Sequence, residues 1–170
     1  PGEWFPSAWV VKWTDMIYSL SQKYNLQPSF SQSSNVYVTR SVLAKTVVES
    51  KVKADYVLWV DDDNLVTPEQ VQMLIDDLDQ HPEADLVCGW CYIVHDIYDT
   101  SLAKVSCGWW HRDGSAVNIS RDTMTKYGGE NPLLEIDWTG FPCVLMRYAT
   151  LLKAGPIPFA PLPTEHSICG

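Results

Sequence analysis

Apolar residues recur at spacings of three and four over two stretches near the beginning of the chain. In residues 7–24 this spacing predicts an amphipathic helix that ends near Asn25. The apolar positions of this helix are Val10, Trp13, Ile17, Leu20 and Tyr24. A second predicted helix runs over about 39–52, with Leu43 and Val47 on its inward face. Each helix therefore has one side suited to packing on a core.

The centre of the chain carries a strand signal followed by a strong helix start. The continuous apolar run Tyr56–Val60 is typical of a strand that is covered on both faces, usually in a parallel sheet. Thr67 is a candidate N-cap, Pro68 fits the first helical position, and Gln70 completes a capping box. The inward stripe of the helix is Val71, Leu74, Ile75 and Leu78. A strand and its crossover helix are thus expected here.

Three more elements follow along the chain. Residues 86–93 and 141–146 are predicted to be strands, and residues 148–154 a short helix, while residues 95–129 give no clear pattern. The alternation of helix and strand predicts an α/β fold with a mostly parallel central sheet flanked by helices. Since 170 residues is close to the usual size of a domain, residues 1–170 are expected to form a single one.

Composition narrows the function classes. With 46% hydrophobic and 19% charged residues, the chain is not of the disordered type. Its formal net charge of −9 disfavours nonspecific binding to nucleic acid or anionic lipid. No apolar run approaches the roughly 18–20 residues of a membrane span. The five cysteines, an odd number, favour a reducing, cytoplasmic setting.

An acidic loop, Asp61-Asp62-Asp63-Asn64, follows the Tyr56–Val60 strand directly. Ligands of open α/β sheets bind in the crevice beyond the carboxyl ends of the strands, where this loop is expected. Three neighbouring carboxylates repel one another, and a divalent cation with a preference for oxygen ligands relieves that repulsion. The alternative is a solvated turn whose acids favour the N-terminus of the next helix. A calcium-binding EF-hand is excluded, because Val66 and Gln72 occupy its glycine and glutamate positions.

Three segments in this order resemble nucleotide-sugar glycosyltransferases of family 2, which have the Rossmann-like GT-A fold. Residues 56–64 resemble their apolar strand and DxD motif, residues 34–40 their arginine-bearing helix start, and residues 137–147 their acceptor-side segment. The resemblance spans roughly residues 33–153. The family's first strand is expected before Pro1 and its Glu-Asp pair after Gly170, so the chain resembles a catalytic domain trimmed at both ends.

The resemblance implies a metal-dependent, inverting transfer of a sugar from a nucleoside-diphosphate sugar, with a UDP-sugar as the expected donor. It implies direct contact between Asp63 and a Mn²⁺ or Mg²⁺ ion. It also implies that one of Asp61 and Asp62 contacts the metal through water and that the other hydrogen-bonds the ribose. Which of the two has which role is left open. Arg40 is expected at the nucleotide base or phosphates, with a surface ion pair as the alternative. Glu3 stands where the first strand delivers residues to the nucleotide, with a plain loop acid as the alternative.

Transfer to an acceptor hydroxyl, on a glycan or another molecule, requires a general base. Asp137 is the candidate within this chain, because Ile136 and Trp138 flank it and are expected to desolvate it. Glu135 is the second choice, and an aspartate that caps a turn is the structural alternative. The aromatic residues considered as sugar platforms are Trp109, Trp110 and Trp138. Arg147 is expected to hold a phosphate or to form a structural ion pair.

Two other functions fit parts of the sequence. A nucleotidyltransferase that makes a nucleotide sugar is the nearest alternative, although its usual N-terminal Gly-rich loop is not visible. A non-catalytic carbohydrate-binding module could hold Ca²⁺ at the acidic loop. Such modules are mostly antiparallel β, whereas the pattern here alternates helix and strand. The sequence leaves the donor sugar, the acceptor and the oligomeric state open.

Overall fold

A computed structural model describes residues 7–31, 35–50, 53–93, 103–128, 133–155 and 158–159. The helices are α1 (Ser7–Ser21), α2 (Val36–Glu49), α3 (Pro68–Gln80), α4 (Arg121–Gly128) and α5 (Tyr148–Lys153). The strands are β1 (Tyr56–Val60), β2 (Leu86–Gly89), β3 (Tyr92–Ile93), β4 (Lys104–Val105), β5 (Cys107–Trp110), β6 (Ala116–Asn118), β7 (Trp138–Thr139) and β8 (Cys143–Arg147). No helix in the described part of the chain is both long enough and apolar enough to cross a membrane.

The main sheet has the order β1-β8-β2, and its central strand comes last in the chain. β8 is antiparallel to both neighbours, with Val60 and Gly89 each opposite Cys143. β1 and β2 therefore point in the same direction and are joined by α3, as expected for a strand-helix-strand unit, but they do not pair. Every strand pair among the described residues is antiparallel. The predicted mostly parallel sheet is corrected accordingly, because β8 lies between the two parallel-running strands.

Helix α3 follows the local sequence signals closely. The Thr67 hydroxyl accepts the N–H of Gln70 at 3.3 Å, and the Gln70 side chain accepts the N–H of Thr67 at 2.9 Å. This reciprocal cap, with Pro68 at the first helical position, begins the helix where the sequence predicts it. The four buried residues of the helix are Val71, Leu74, Ile75 and Leu78, the predicted stripe.

The sheet separates two apolar cores. On one face α1 and α3 bury Met16, Leu20, Val71, Leu74, Ile75 and Leu78 against Val87, Cys143 and Leu145. On the other face α2 and α5 contribute Ala44 and Leu151, which pack with Val57, Trp59, Val144 and Met146. Alternate side chains of β1 thus pack into opposite cores, and the Trp59 side chain packs on the face covered by α2. The end of β1 lies between two covered faces, as the apolar run predicts.

Strands β4, β5 and β6 come from the stretch that the sequence left unassigned. β5 and β6 belong to a second sheet with the order β6-β5-β7, and β4 pairs with β3. The predicted strand over 86–93 is two strands in two different sheets, β2 and β3. A third core forms from Val105, Cys107, Ile119 and Met124. Glycine is required at position 108, where β5 lies between β6 and β7. A Cβ there would lie 1.8 Å from the Val117 oxygen and 2.9 Å from Cζ2 of Trp138.

Candidate functional site

The acidic loop begins one residue beyond the β1–β8 ladder. The N–H of Asp61 donates to the Pro142 carbonyl at 3.1 Å, which extends the pairing by one step. The chain then turns, because the N–H of Asn64 donates to the Asp61 carbonyl at 3.1 Å. Asp62 and Asp63 are exposed at this turn. The turn also ends the alternation of side chains between the two faces of the strand.

Arg40 forms an ion pair with the first acid of the loop. One terminal guanidinium nitrogen donates to Oδ1 and Oδ2 of Asp61 at 3.1 and 3.0 Å, and it lies 3.4 Å from the Phe141 carbonyl. The guanidinium also sits over the Phe141 ring, 4.9 Å from its centroid. The Arg40 side chain is only 15% exposed, whereas that of Asp61 is 37% exposed. The ion-pair alternative for Arg40 is thus found, and its partner is the acidic loop itself.

Helix α2 brings Arg40 to this position. The Asn35 side chain caps the helix by accepting the N–H groups of Tyr37 and Val38 at 2.9 and 3.3 Å. Ala44 is buried in the core of that sheet face, one helical turn beyond Arg40. Arg40 therefore lies on the side of the helix that faces the sheet.

Burial and charge act in opposite directions on Asp61. Partial burial raises the pKa of its carboxyl, while the Arg40 guanidinium lowers it, and burial is the larger effect. The neighbouring carboxylates of Asp62 and Asp63 add a smaller upward contribution. The resulting pKa lies above the ordinary value of 3.8. Asp61 therefore holds its proton more readily than a free aspartate.

Phe141 has an unusual backbone conformation beside this ion pair. Its φ of 70° lies in the left-handed region, which a bulky side chain rarely adopts. Its ring lies 6.1 Å from that of Trp59 and 5.3 Å from that of Phe159. The Trp59 indole N–H is buried, with no hydrogen-bond partner in the described part of the chain. Sequence reasoning missed Phe141 as a site residue, and its position between Gly140 and Pro142 was the available signal.

Asp137 is less buried than the sequence predicts. The residue is exposed, so Ile136 and Trp138 do not desolvate it as expected. Its Oδ2 accepts the backbone N–H of Trp110 at 2.9 Å, a contact with the neighbouring strand β5 rather than the turn cap of the structural alternative. Asp137 precedes Phe141 by four residues, so their Cα atoms are at most about 14 Å apart. The structure therefore places Asp137 in contact with an exposed tryptophan, four residues before the phenylalanine that packs on Arg40.

The remaining sequence candidates have structural contacts. The Trp138 indole is half-buried and donates to the Trp109 carbonyl at 3.2 Å. The Trp109 indole donates to the Glu135 carbonyl at 2.9 Å. Arg147 donates to three backbone carbonyls at the end of α3 and just beyond it, so it is a structural residue rather than a phosphate ligand. These carbonyls belong to Leu78, His81 and Ala84. Glu3 lies outside the described residues.

The cysteines near the sheet do not offer a nucleophile. Desolvation raises the pKa of the Cys107 thiol to about 11 and that of the Cys143 thiol to about 12. It also raises the pKa of Cys88, although a hydrogen bond with Thr139 opposes this. Because the thiolate is the reactive species, these residues act as small hydrophobic side chains.

The acidic loop offers oxygen ligands of the kind that divalent cations prefer. In the described ranges, no group of three or more histidine, cysteine, aspartate or glutamate side chains is arranged to hold a metal ion. Asp62 and Asp63 nevertheless offer exposed carboxylate oxygens, the ligands that Mg²⁺ and Mn²⁺ prefer. Magnesium bound with nucleotides commonly takes one or two protein carboxylates and completes its shell with phosphate oxygens and water. These donors suit that kind of site.

Comparison with known proteins gives one match. Residues 46–128 match the family described as Glycosyl transferase family 2. No curated protein and no solved structure matches the chain. The matched segment contains β1, the acidic loop, α3 and β2, whereas Arg40 and Asp137 lie outside it. The family has the GT-A α/β fold, in keeping with the helices and sheets observed. The match confirms the resemblance stated from the sequence over residues 46–128, which are similar to glycosyltransferase family 2.

Proposed function

We propose that the protein is a metal-dependent glycosyltransferase that moves a sugar from a nucleoside-diphosphate sugar, with UDP as the expected nucleotide, to an acceptor hydroxyl with inversion. One observation carries the proposal. The segment that matches the family contains an acidic loop at the end of a strand between two apolar cores, with two exposed carboxylates beside a third that is paired with Arg40. This arrangement suits a ligand that brings both a cation and negative charge.

The contacts of the loop divide the roles among its residues. Asp63 is exposed, and its Oδ1 accepts the Asn64 amide at 2.7 Å; we assign its carboxylate the direct contact with the cation. Asp61 is paired with Arg40. We therefore assign the water-mediated metal contact and the ribose hydrogen bond to Asp61 and Asp62, one role to each residue. When bound, the cation would act as a Lewis acid toward the leaving diphosphate. The guanidinium of Arg40 is suited to the same phosphates by its planar geometry.

Asp137 is the proposed general base. Its carboxylate removes the proton of the acceptor hydroxyl while the hydroxyl oxygen forms a bond to the anomeric carbon. The bond from that carbon to the diphosphate breaks, and the nucleoside diphosphate leaves with the electron pair. The hydrogen bond from the Trp110 N–H to Oδ2 fixes the orientation of the carboxylate. Its exposure leaves it accessible to an acceptor.

Calorimetry with UDP, in the presence and absence of Mn²⁺, tests the function. The parent protein is expected to bind UDP only with the metal, and Asp63→Ala to lose this binding while its circular dichroism stays unchanged. Asp15→Ala is the matched control, because Asp15 is an exposed aspartate on α1 and its loss removes the same charge. If Asp63→Ala bound UDP with Mn²⁺ as tightly as the parent, the site assignment would be wrong. A parent protein that bound no nucleoside diphosphate would contradict the proposed function.

A further inference from the structure

The strands β2 and β8 separate at the edge of the sheet that carries the acidic loop. Their last pair is Gly89 with Cys143, and beyond it the buried Ser106 lies between the two chains. Ser106 donates its N–H to the Cys91 carbonyl at 2.9 Å, and its hydroxyl accepts the Cys91 N–H at 3.0 Å. Its own carbonyl accepts the N–H of Gly140 at 2.6 Å. Diverging strand ends of this kind form the crevices in which α/β proteins bind ligands.

Trp90 follows Gly89 at the point where β2 leaves β8, on the same edge of the sheet as the acidic loop. Val60, Cys143 and Gly89 form one row across the sheet, so the residues that follow this row toward the loop are Asp61, Pro142 and Trp90. Two strand spacings are about 10 Å, and because β2 and β8 diverge here, the backbone of Trp90 lies at least that far from Asp61. That separation is comparable to a sugar ring together with its phosphate. A substrate anchored at the loop and extending toward Trp90 would cross the start of β8, where Pro142 precedes Cys143.

Trp90 is exposed but its surroundings hold it in place. Its side chain belongs to none of the three apolar cores of the described residues, and 42% of the residue is exposed. Its ring meets that of Tyr92 edge-to-face at 5.3 Å between centroids. The Arg121 guanidinium lies over the Tyr92 ring at 5.6 Å, and the next residue, Cys91, is fixed by two hydrogen bonds to Ser106. An exposed tryptophan on such a rigid support is preorganised for binding.

We propose that Trp90, supported by Tyr92, is a stacking platform for the apolar C–H face of a pyranose in the substrate. This inference rests on the proposed function and adds a saccharide subsite to it. An indole ring offers a wide apolar surface at low conformational cost, and a pyranose offers a matching array of C–H groups. The sugar is either that of the donor or that of the acceptor. Both present the same chemistry to the ring, and two sets of ligands distinguish them.

The test compares Trp90→Ala and Trp90→Phe with the parent by calorimetry in the presence of Mn²⁺. One set of ligands is UDP and a panel of UDP-sugars, and the other is a panel of neutral methyl glycosides. Trp90→Ala is expected to lose about tenfold in affinity for the sugar-bearing ligands of one set while UDP binding stays unchanged. Trp90→Phe is expected to retain most of the affinity, because it keeps an aromatic face. Tyr18→Ala is the control, since Tyr18 is an exposed aromatic residue on α1.

The outcomes separate this inference from the proposed function. A loss confined to the UDP-sugars assigns the platform to the donor sugar, and a loss confined to the glycosides assigns it to the acceptor. If Trp90→Ala bound every sugar-bearing ligand as the parent does, or if the parent bound none, the platform would be refuted. Should the parent fail to bind UDP, the proposed function fails, and the glycosides alone then decide whether Trp90 binds sugar.

Discussion

The guanidinium of Arg40 lies within hydrogen-bond distance of both carboxylate oxygens of Asp61, at 3.1 and 3.0 Å. This contact joins helix α2 to the end of β1, so the position of the acidic loop depends on an element 21 residues earlier in the chain. It also places one positive charge among three neighbouring negative ones. A loop that would otherwise repel itself is thereby held in one place.

Removing the guanidinium is expected to destabilise the fold and weaken nucleotide binding. Arg40→Met leaves the Asp61 carboxylate without its cation, which is expected to cost about 1 kcal/mol of unfolding free energy. The cost is modest because water reaches Asp61, whose side chain is 37% exposed. Urea unfolding of Arg40→Met, Asp61→Asn and the double variant measures the coupling between the two residues. Equal costs of Arg40→Met in the parent and in the Asp61→Asn background would show that the ion pair contributes no stability.

The raised pKa of Asp61 gives stability a defined pH dependence. In the folded state this carboxyl binds more protons than in the unfolded state, so its contribution to the unfolding free energy falls as pH rises. The fall begins near the ordinary pKa of 3.8 and is complete once pH exceeds the raised value. The parent is therefore expected to lose stability relative to Asp61→Asn across this window. A difference between the two proteins that does not vary with pH would contradict the assignment.

Asp137→Asn separates catalysis from binding. The amide oxygen of asparagine can still accept the Trp110 N–H, so the local backbone is expected to keep its structure. The substituted side chain cannot take a proton from the acceptor, and the transfer rate is expected to fall at least a hundredfold. UDP binding measured by calorimetry is expected to stay within twofold of the parent. An unchanged transfer rate would assign the base to another residue.

A glycine in each sheet tests the packing of the second sheet: Gly108 on β5 is the test position, and Gly89 on β2 is its control. A Cβ at Gly108 would lie 1.8 Å from the Val117 oxygen, so Gly108→Ala forces β5 and β6 apart and displaces Trp138. The expected loss is about 3 kcal/mol of unfolding free energy. Gly89→Ala is the control, because its Cβ would lie 3.7 Å from Cys143 Cβ, an ordinary contact. Thermal unfolding that ranked Gly89→Ala as the more damaging change would contradict the described β5–β6 packing.

Local signals predicted the elements around the loop well. β1 and α3 occur as predicted, and α3 begins at the predicted cap, because each depends on residues close together in the sequence. The second helix begins three residues before its predicted start, at Val36, where Asn35 supplies the cap. The cap and the apolar stripe of α3 are both formed by residues that are close together in the sequence. The resemblance to family 2, based on short motifs, is confirmed over residues 46–128.

Long-range relationships could not be predicted in the same way. No periodicity shows that β8 enters between β1 and β2, since each run of apolar residues is compatible with several partners. The ion pair between Arg40 and Asp61 depends on where α2 packs, and the left-handed Phe141 depends on the junction of two sheets. Trp90 lies within the apolar run that predicts one strand over 86–93, and only the structure shows that it lies between two strands. The roles of the candidate site residues stay predictions.

The position of β8 has a consequence for the order in which the molecule is assembled. Val60 and Cys143 are 83 positions apart (143 − 60), so the ladder that supports the acidic loop closes only after Cys143 has left the ribosome. Contacts between such distant positions form slowly, because a long loop must first be closed. We expect the nascent protein to remain without a functioning centre until Arg147 has emerged, and truncations before that point to expose the bare edges of β1 and β2 to aggregation.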